Sequence, residues 1–127
     1  MIRDFGSNEF LYLVMAARWT IALSLVAFLG GGLLGLLLAI LRVSPWAPAR
    51  LAAALYIQLF QATPALLLLM LLYFGINFFG IRIDAWMAAS IGFTLSCASF
   101  LAEIWRGCIE SVPRLQWEGA RALALDF

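Results

Sequence analysis

The sequence predicts an all-α integral membrane protein, and three observations lead there. Of its 127 residues 65% are hydrophobic, where soluble domains hold roughly 45–50% apolar residues, and the mean hydropathy is +1.01. Trp19–Leu41 is an uncharged run of 23 residues, long enough to cross about 30 Å of hydrocarbon as a helix. Charge is also sparse in two further apolar runs, 51–73 and 85–105, and collects in the turns and the last quarter. The whole chain, 1–127, therefore reads as one transmembrane domain.

Composition also excludes function classes. The net charge of +1 offers no clustered basic footprint for nucleic acid. All eight cations are arginine and there is no histidine, so a P-loop lysine, a Schiff base, a histidine metal ligand and a Ser-His or Cys-His pair are all ruled out. No catalytic, cofactor-binding or metal-binding residue is expected. Cys97 and Cys108 fall on one expected helix about 16 Å apart, too far for an internal disulfide, and read as packing residues.

The first element is a short apolar run, 8–17, between charged residues, ended by Arg18. It is too short to span and reads as an interfacial helix, capped by Ser7 or Asn8 with Glu9 in its first turn. The first span, 19–41, exceeds the apolar core of a signal peptide, and Arg42 separates it from the one cleavage-like site at Ala47-Pro48-Ala49. Inside it Gly31 and Gly35 stand one turn apart, a spacing that lets another helix approach closely. Residues 42–50, with two prolines and two arginines, read as a tight turn.

In the second span, 51–73, Ala54, Gln58, Gln61 and Ala65 recur at four, three and four residues. This narrow polar stripe fits either a pathway-lining face or interhelical hydrogen bonds. Thr63-Pro64 sits near its middle; proline frees a backbone carbonyl there, and a kink is expected. Residues 75–84 read as a short loop. The third span, 85–105, presents Gly92, Ser96, Ser99, Glu103, Arg106 and Glu110 at helical spacing. Such a stripe faces protein or water rather than lipid. Glu103 reads either as a proton-coupling or substrate residue or as a headgroup-level carboxylate paired with Arg106.

The last quarter, from Ala102, is where charge becomes dense. Glu103, Arg106, Glu110 and Arg114 make a ladder of alternating sign. Pro113 should end the helix near Val112 and open another, with Ser111 or Val112 near its cap. That short helix would place Leu115, Gly119 and Ala122 on one face and Glu118 and Arg121 on another. By itself such a tail fits an interfacial anchor.

The residues Ala102-Glu103-Ile104, Arg106-Gly107, Ser111-Val112-Pro113, Gln116, Glu118, Ala120 and Ala122-Leu123 resemble the A-E-I-x-R-G and S-V-P-x-x-Q-x-E-A-A-x-A-L-G runs of ABC importer permeases of the polar amino acid family. Tyr56, Phe60, Thr63 and Pro64 similarly match the family's Y-x-E-x-F-R-G-T-P-L-L run. Gln58 replaces its glutamate, and Gln61-Ala62 its Arg-Gly. Gly119 stands for an alanine and Ala124 for the later glycine, which removes an easy left-handed turn. The glycine-rich first span also sits where the family's first core helix does, and the resemblance covers roughly residues 9–126.

The resemblance implies a partial helical bundle of the type I ABC importer transmembrane-domain kind, acting as the permease subunit of an amino acid importer in a bacterial inner membrane. ATP hydrolysis would belong to separate ABC ATPase subunits, docked through a coupling loop at 111–127 with Glu118, Gly119, Ala120, Arg121 and Ala124 in the cleft. A second permease subunit, as homodimer or heterodimer, and an extracytoplasmic amino-acid-binding protein would complete the assembly. Gln58, Gln61, Thr63, Ser96 and Ser99 are the candidate pathway positions, with Pro64, Glu103 and Arg106 structural or gating. Family members continue into further spans, so three spans are not expected to transport alone. Arginine bias, with Arg42, Arg50, Arg106, Arg114 and Arg121 against Arg3, Arg18 and Arg82, puts the tail in the cytoplasm and the N-terminus outside. The rival readings are a small oligomeric proton-coupled transporter using Glu103 and a non-transporting membrane scaffold.

Overall fold

A computed structural model describes residues 6–124, with backbone alone at Ser7 and Asn8. Arg3 and positions 125–127 of the expected coupling loop lie outside the described residues, and the helix cap expected at Ser7 or Asn8 is Gly6 instead. Helix α1 spans Ser7–Val43, α2 Ala47–Ala62 and α3 Ala65–Met70. A π-helical turn, Leu71–Gly75, leads into α4, Ile76–Phe78. Helices α5, Ala85–Glu110, and α6, Arg114–Ala122, complete the chain.

The interfacial helix and first span expected from the sequence are one uninterrupted helix. Arg18 interrupts hydrophobicity but not helicity: arginine is a good helix former, and its guanidinium lies 5.4 Å from the centre of the Trp19 ring. At 37 residues α1 is about 55 Å long, well beyond the hydrocarbon thickness. Its first turn is closed by the Gly6 amide, which donates to Glu9 Oε2 at 2.9 Å.

Helices α1 and α5 run parallel. Trp19 stacks edge-on against Trp86 at 5.4 Å, Gly31 and Gly35 meet Cys97 to Ala102, and Arg42 reaches Glu103. The glycines set how close the two backbones come. A Cβ on Gly35 would lie 2.8 Å from the Ala98 carbonyl oxygen, and one on Gly31 2.7 Å from the Cys97 Cβ. Ala98 and Ala102 answer on α5, both fully buried, so small residues one turn apart face each other on both helices. Leu38, Ala53 and Ile57 extend this contact into the core.

Because α1 ends where α2 begins and α5 starts beside Trp19, the chain must travel back between them. Helices α2 and α3–α4 make that return with a bend of 102°. The kink expected inside one continuous span is thus a full break: the three-span reading holds only if this bent pair counts as one. Pro64 explains it, since it lacks an N–H and pushes Thr63 out of the helical region, to φ −88°, ψ 122°. The Thr63 hydroxyl then donates to the Leu59 carbonyl at 2.7 Å, satisfying a group the break would leave bare.

Other boundaries shift for local reasons. The 42–50 turn shrinks because Pro48 is accommodated in the first turn of α2. Gly75 and Asn77 are helical rather than loop. The Asn77 side chain clamps the remaining loop, donating to the Ile83 carbonyl at 3.3 Å and accepting from its amide at 3.2 Å. Asp84 caps α5 by accepting from the Met87 amide at 2.7 Å. The third span extends as α5 to Glu110, and Pro113 itself, not Ser111 or Val112, is the N-cap of α6.

Gly35→Leu should force α1 and α5 apart and lower stability in detergent by about 1–3 kcal/mol, as overpacking does. Gly32→Ala, where an added Cβ meets nothing within 4 Å, should be neutral or stabilising by up to about 1 kcal/mol. Thermal unfolding of the two variants side by side checks this.

Candidate functional site

The candidate site lies at the end of the bundle where α1 and α5 finish. Helical spacing along α5 brings Glu103, Arg106 and Glu110 onto one face. Arg106 holds Glu103 Oε2 through Nε at 3.0 Å and Nη2 at 2.6 Å, and Glu110 through Nη1 at 2.5 Å. Arg42 joins from α1, its Nη2 donating to Glu103 Oε1 at 3.5 Å. The side chains of Arg42, Glu103 and Arg106 are only 25–28% exposed, so the network is shielded more than a surface pair and ties two helices together. Arg42 was legible only as a turn arginine; its partner lies 61 residues away, beyond any local spacing signal.

Glu103 thus sits at a bundle end between two guanidinium groups. That is the setting of a paired structural carboxylate, not of a lone proton carrier, and it disfavours the small secondary transporter.

Beyond Glu110 the chain turns. The Ser111 hydroxyl donates to the Cys108 carbonyl at 2.8 Å, Pro113 blocks continuation, and α6 stands off the bundle. Trp117 and Ala120 face the end of α5 across an apolar cleft of about 470 Å³. Glu118, Gly119, Arg121 and Leu115 are exposed. Of the expected coupling residues, Glu118, Gly119, Arg121 and Ala124 are exposed, whereas Ala120 lines the cleft toward α5. Gly119 has open space around it. Ala124, where the resembled pattern has glycine, adopts the left-handed conformation with φ 55°.

The expected pathway residues are not brought together. Gln58 and Gln61 are exposed on α2, but the Gln61 amide donates to the Ser99 carbonyl at 3.2 Å. Ser99 is fully buried and its hydroxyl donates to the Ser96 carbonyl at 2.7 Å. Ser96 opens instead onto a cavity of about 620 Å³ between α1 and α5, beside Trp19, Ser24 and Trp86. The stripe read from the sequence is real, but its members face different neighbours. Tyr56, which the sequence left without a role, bridges α2 to α5 by donating to the Leu95 carbonyl at 3.0 Å.

The architecture is an all-helical bundle with two long apolar helices and a detached amphipathic helix. A crystal structure of an amino acid ABC transporter with histidines superposes with a TM-score of 0.79 and 32% identity, over 99% of this chain and 60% of that one. Residues 31–126 match the binding-protein-dependent transport system inner membrane component family, and the chain belongs to it. It is 39% identical over 120 residues to the Probable amino-acid ABC transporter permease protein YckA of Bacillus subtilis (strain 168), covering 94% of this chain and 53% of that protein. To the L-cystine transport system permease protein TcyB of the same organism it is 31% identical over 107 residues, 84% of this chain and 46% of that one. The chain spans about half the length of the curated relatives it matches.

Glu103→Gln leaves Arg42 without its carboxylate and Arg106 with Glu110 alone, and should destabilise the bundle by about 1.5–3 kcal/mol. Glu118→Gln on the exposed face of α6 should stay within about 0.5 kcal/mol; thermal unfolding in detergent compares them. Ala124→Gly should relieve the left-handed strain at the end of α6, adding about 1 kcal/mol of local stability, read as slower amide exchange at Leu123 and Ala124.

Proposed function

We propose that the chain serves as a permease subunit of an ATP-driven amino acid importer, forming part of the translocation pathway and docking an ATPase subunit through α6. The supporting observation is α6 itself. A short helix is detached from the bundle by Pro113, rooted in the Glu103–Arg106–Glu110 ladder, and turns Glu118, Gly119 and Arg121 outward. Such a helix can be gripped by a partner while the ladder transmits force into α5 and, through Arg42, into α1.

The partners of this reading are ABC ATPase subunits, which hydrolyse the ATP, a second permease subunit and an extracytoplasmic amino-acid-binding protein. The N-terminus lies outside and the α6 end in the cytoplasm, as the arginine bias favours. Closure of the ATPases would pull on α6, with Ala120 and Ala124 completing the gripped segment, and the bundle would alternate between outward and inward access. Gln58, Gln61, Thr63 and Ser96 remain the pathway-facing candidates. Pro64 separates two rigid segments and is the natural gating hinge. The relatives' names supply the substrate class, amino acids.

Co-purification with the ATPase encoded beside this chain tests the reading. Wild type should retain the ATPase and Glu118→Lys should lose it by at least about tenfold, since charge reversal in an interface costs several kcal/mol. A wild-type chain that never retains the ATPase overturns the docking role and leaves α6 as an interfacial anchor on a membrane scaffold.

A further inference from the structure

A second cleft, of about 420 Å³, opens where α1, α2, α5 and α6 converge, and its walls include Arg42, Val43, Arg50, Glu110, Arg114 and Trp117. Three arginines from three different helices meet one carboxylate there. Glu110 is already held by Arg106, which does not line the cleft. Among the described residues, the side chains of Arg50 and Arg114 form no ion pair or hydrogen bond. Arg42 reaches Glu103 only at 3.5 Å, and its Nε is buried without an acceptor. The cleft therefore holds positive charge and donor capacity that the described residues leave unanswered.

Its position narrows what can answer. The cleft sits at the ends of the two long apolar helices, so it opens at the depth of lipid headgroups. Val43 and Ile109 add apolar surface to its lining, and Trp46, at the start of α2, is exposed, as interfacial aromatics are. We infer that this cleft binds the phosphate headgroup of an anionic phospholipid, with Arg50 and Arg114 as its principal contacts and Arg42 behind them. Basic pockets between membrane helices take such headgroups, and arginine suits phosphate oxygens geometrically. Zwitterionic lipid lacks the net charge to balance the cleft.

The test measures binding of fluorescent short-chain phosphatidylglycerol to the full chain in neutral detergent. Wild type should prefer it at least about tenfold over phosphatidylcholine. Arg50→Gln and Arg114→Gln should each weaken binding about fivefold and together about 25-fold, while Arg121→Gln, on α6 but outside the cleft, changes it less than about twofold. Arg50 and Arg114 are exposed and hold nothing in place, so circular dichroism should be unchanged; the single variants serve if the double one loses helicity. Equal lipid affinity in the double variant overturns the site, as does an equal loss in Arg121→Gln, which would mean diffuse surface charge. Displacement of the lipid by equimolar inorganic phosphate would make it a free-anion site instead. Retained lipid with lost ATPase co-purification would assign the cleft to protein contact and also overturn the inference.

Discussion

Everything in this bundle hangs on how closely α1 and α5 approach. Gly31 and Gly35 remove the side chains that would hold the backbones apart, and Ala98 and Ala102 present the smallest possible surface in return. In lipid there is no hydrophobic drive between helices, so association relies on close van der Waals packing and interhelical hydrogen bonds. The parallel arrangement then dictates the rest. Two parallel neighbours need a return segment, and α2 with α3–α4 must cover that length in a chain broken by Pro64.

The same close approach positions the charged end. With the backbones in contact at Gly35, Arg42 comes within reach of Glu103. The carboxylate can then bridge two guanidiniums on different helices. Glu110 continues the ladder toward the point where Pro113 releases α6. Ion pairs thus link the buried small-residue seam to the end of α5.

The polar stripes illustrate how a periodic signal can be correct and still misread. Ser96, Ser99 and Glu103 do share one side of α5, as their spacing requires. Yet Ser99 is sealed against α2, where Gln61 takes its carbonyl. Ser96 looks into the cavity beside α1, and Glu103 faces arginines. A helical face about 100° wide can touch three neighbours in turn as helices cross at an angle, and one-dimensional spacing holds no information about those crossings.

The sequence alone determined that the chain is helical, apolar enough for a membrane, kinked at Pro64, interrupted at Pro113, and charged at one end. These follow from local chemistry: hydropathy over a window, the missing proline N–H, and glycine's lack of a Cβ. The short match from Ala102 to Leu123 was likewise legible, because it is contiguous. Tertiary structure decided that residues 8–41 form one helix rather than two, since charge at Arg18 breaks hydrophobicity without breaking hydrogen bonds. It also decided the pairing of Arg42 with Glu103, the burial of Ser99 and the convergence of Arg42, Arg50 and Arg114 on one cleft. Each depends on the distance and angle between helices far apart in the chain, which the packing of small residues sets and no local pattern encodes.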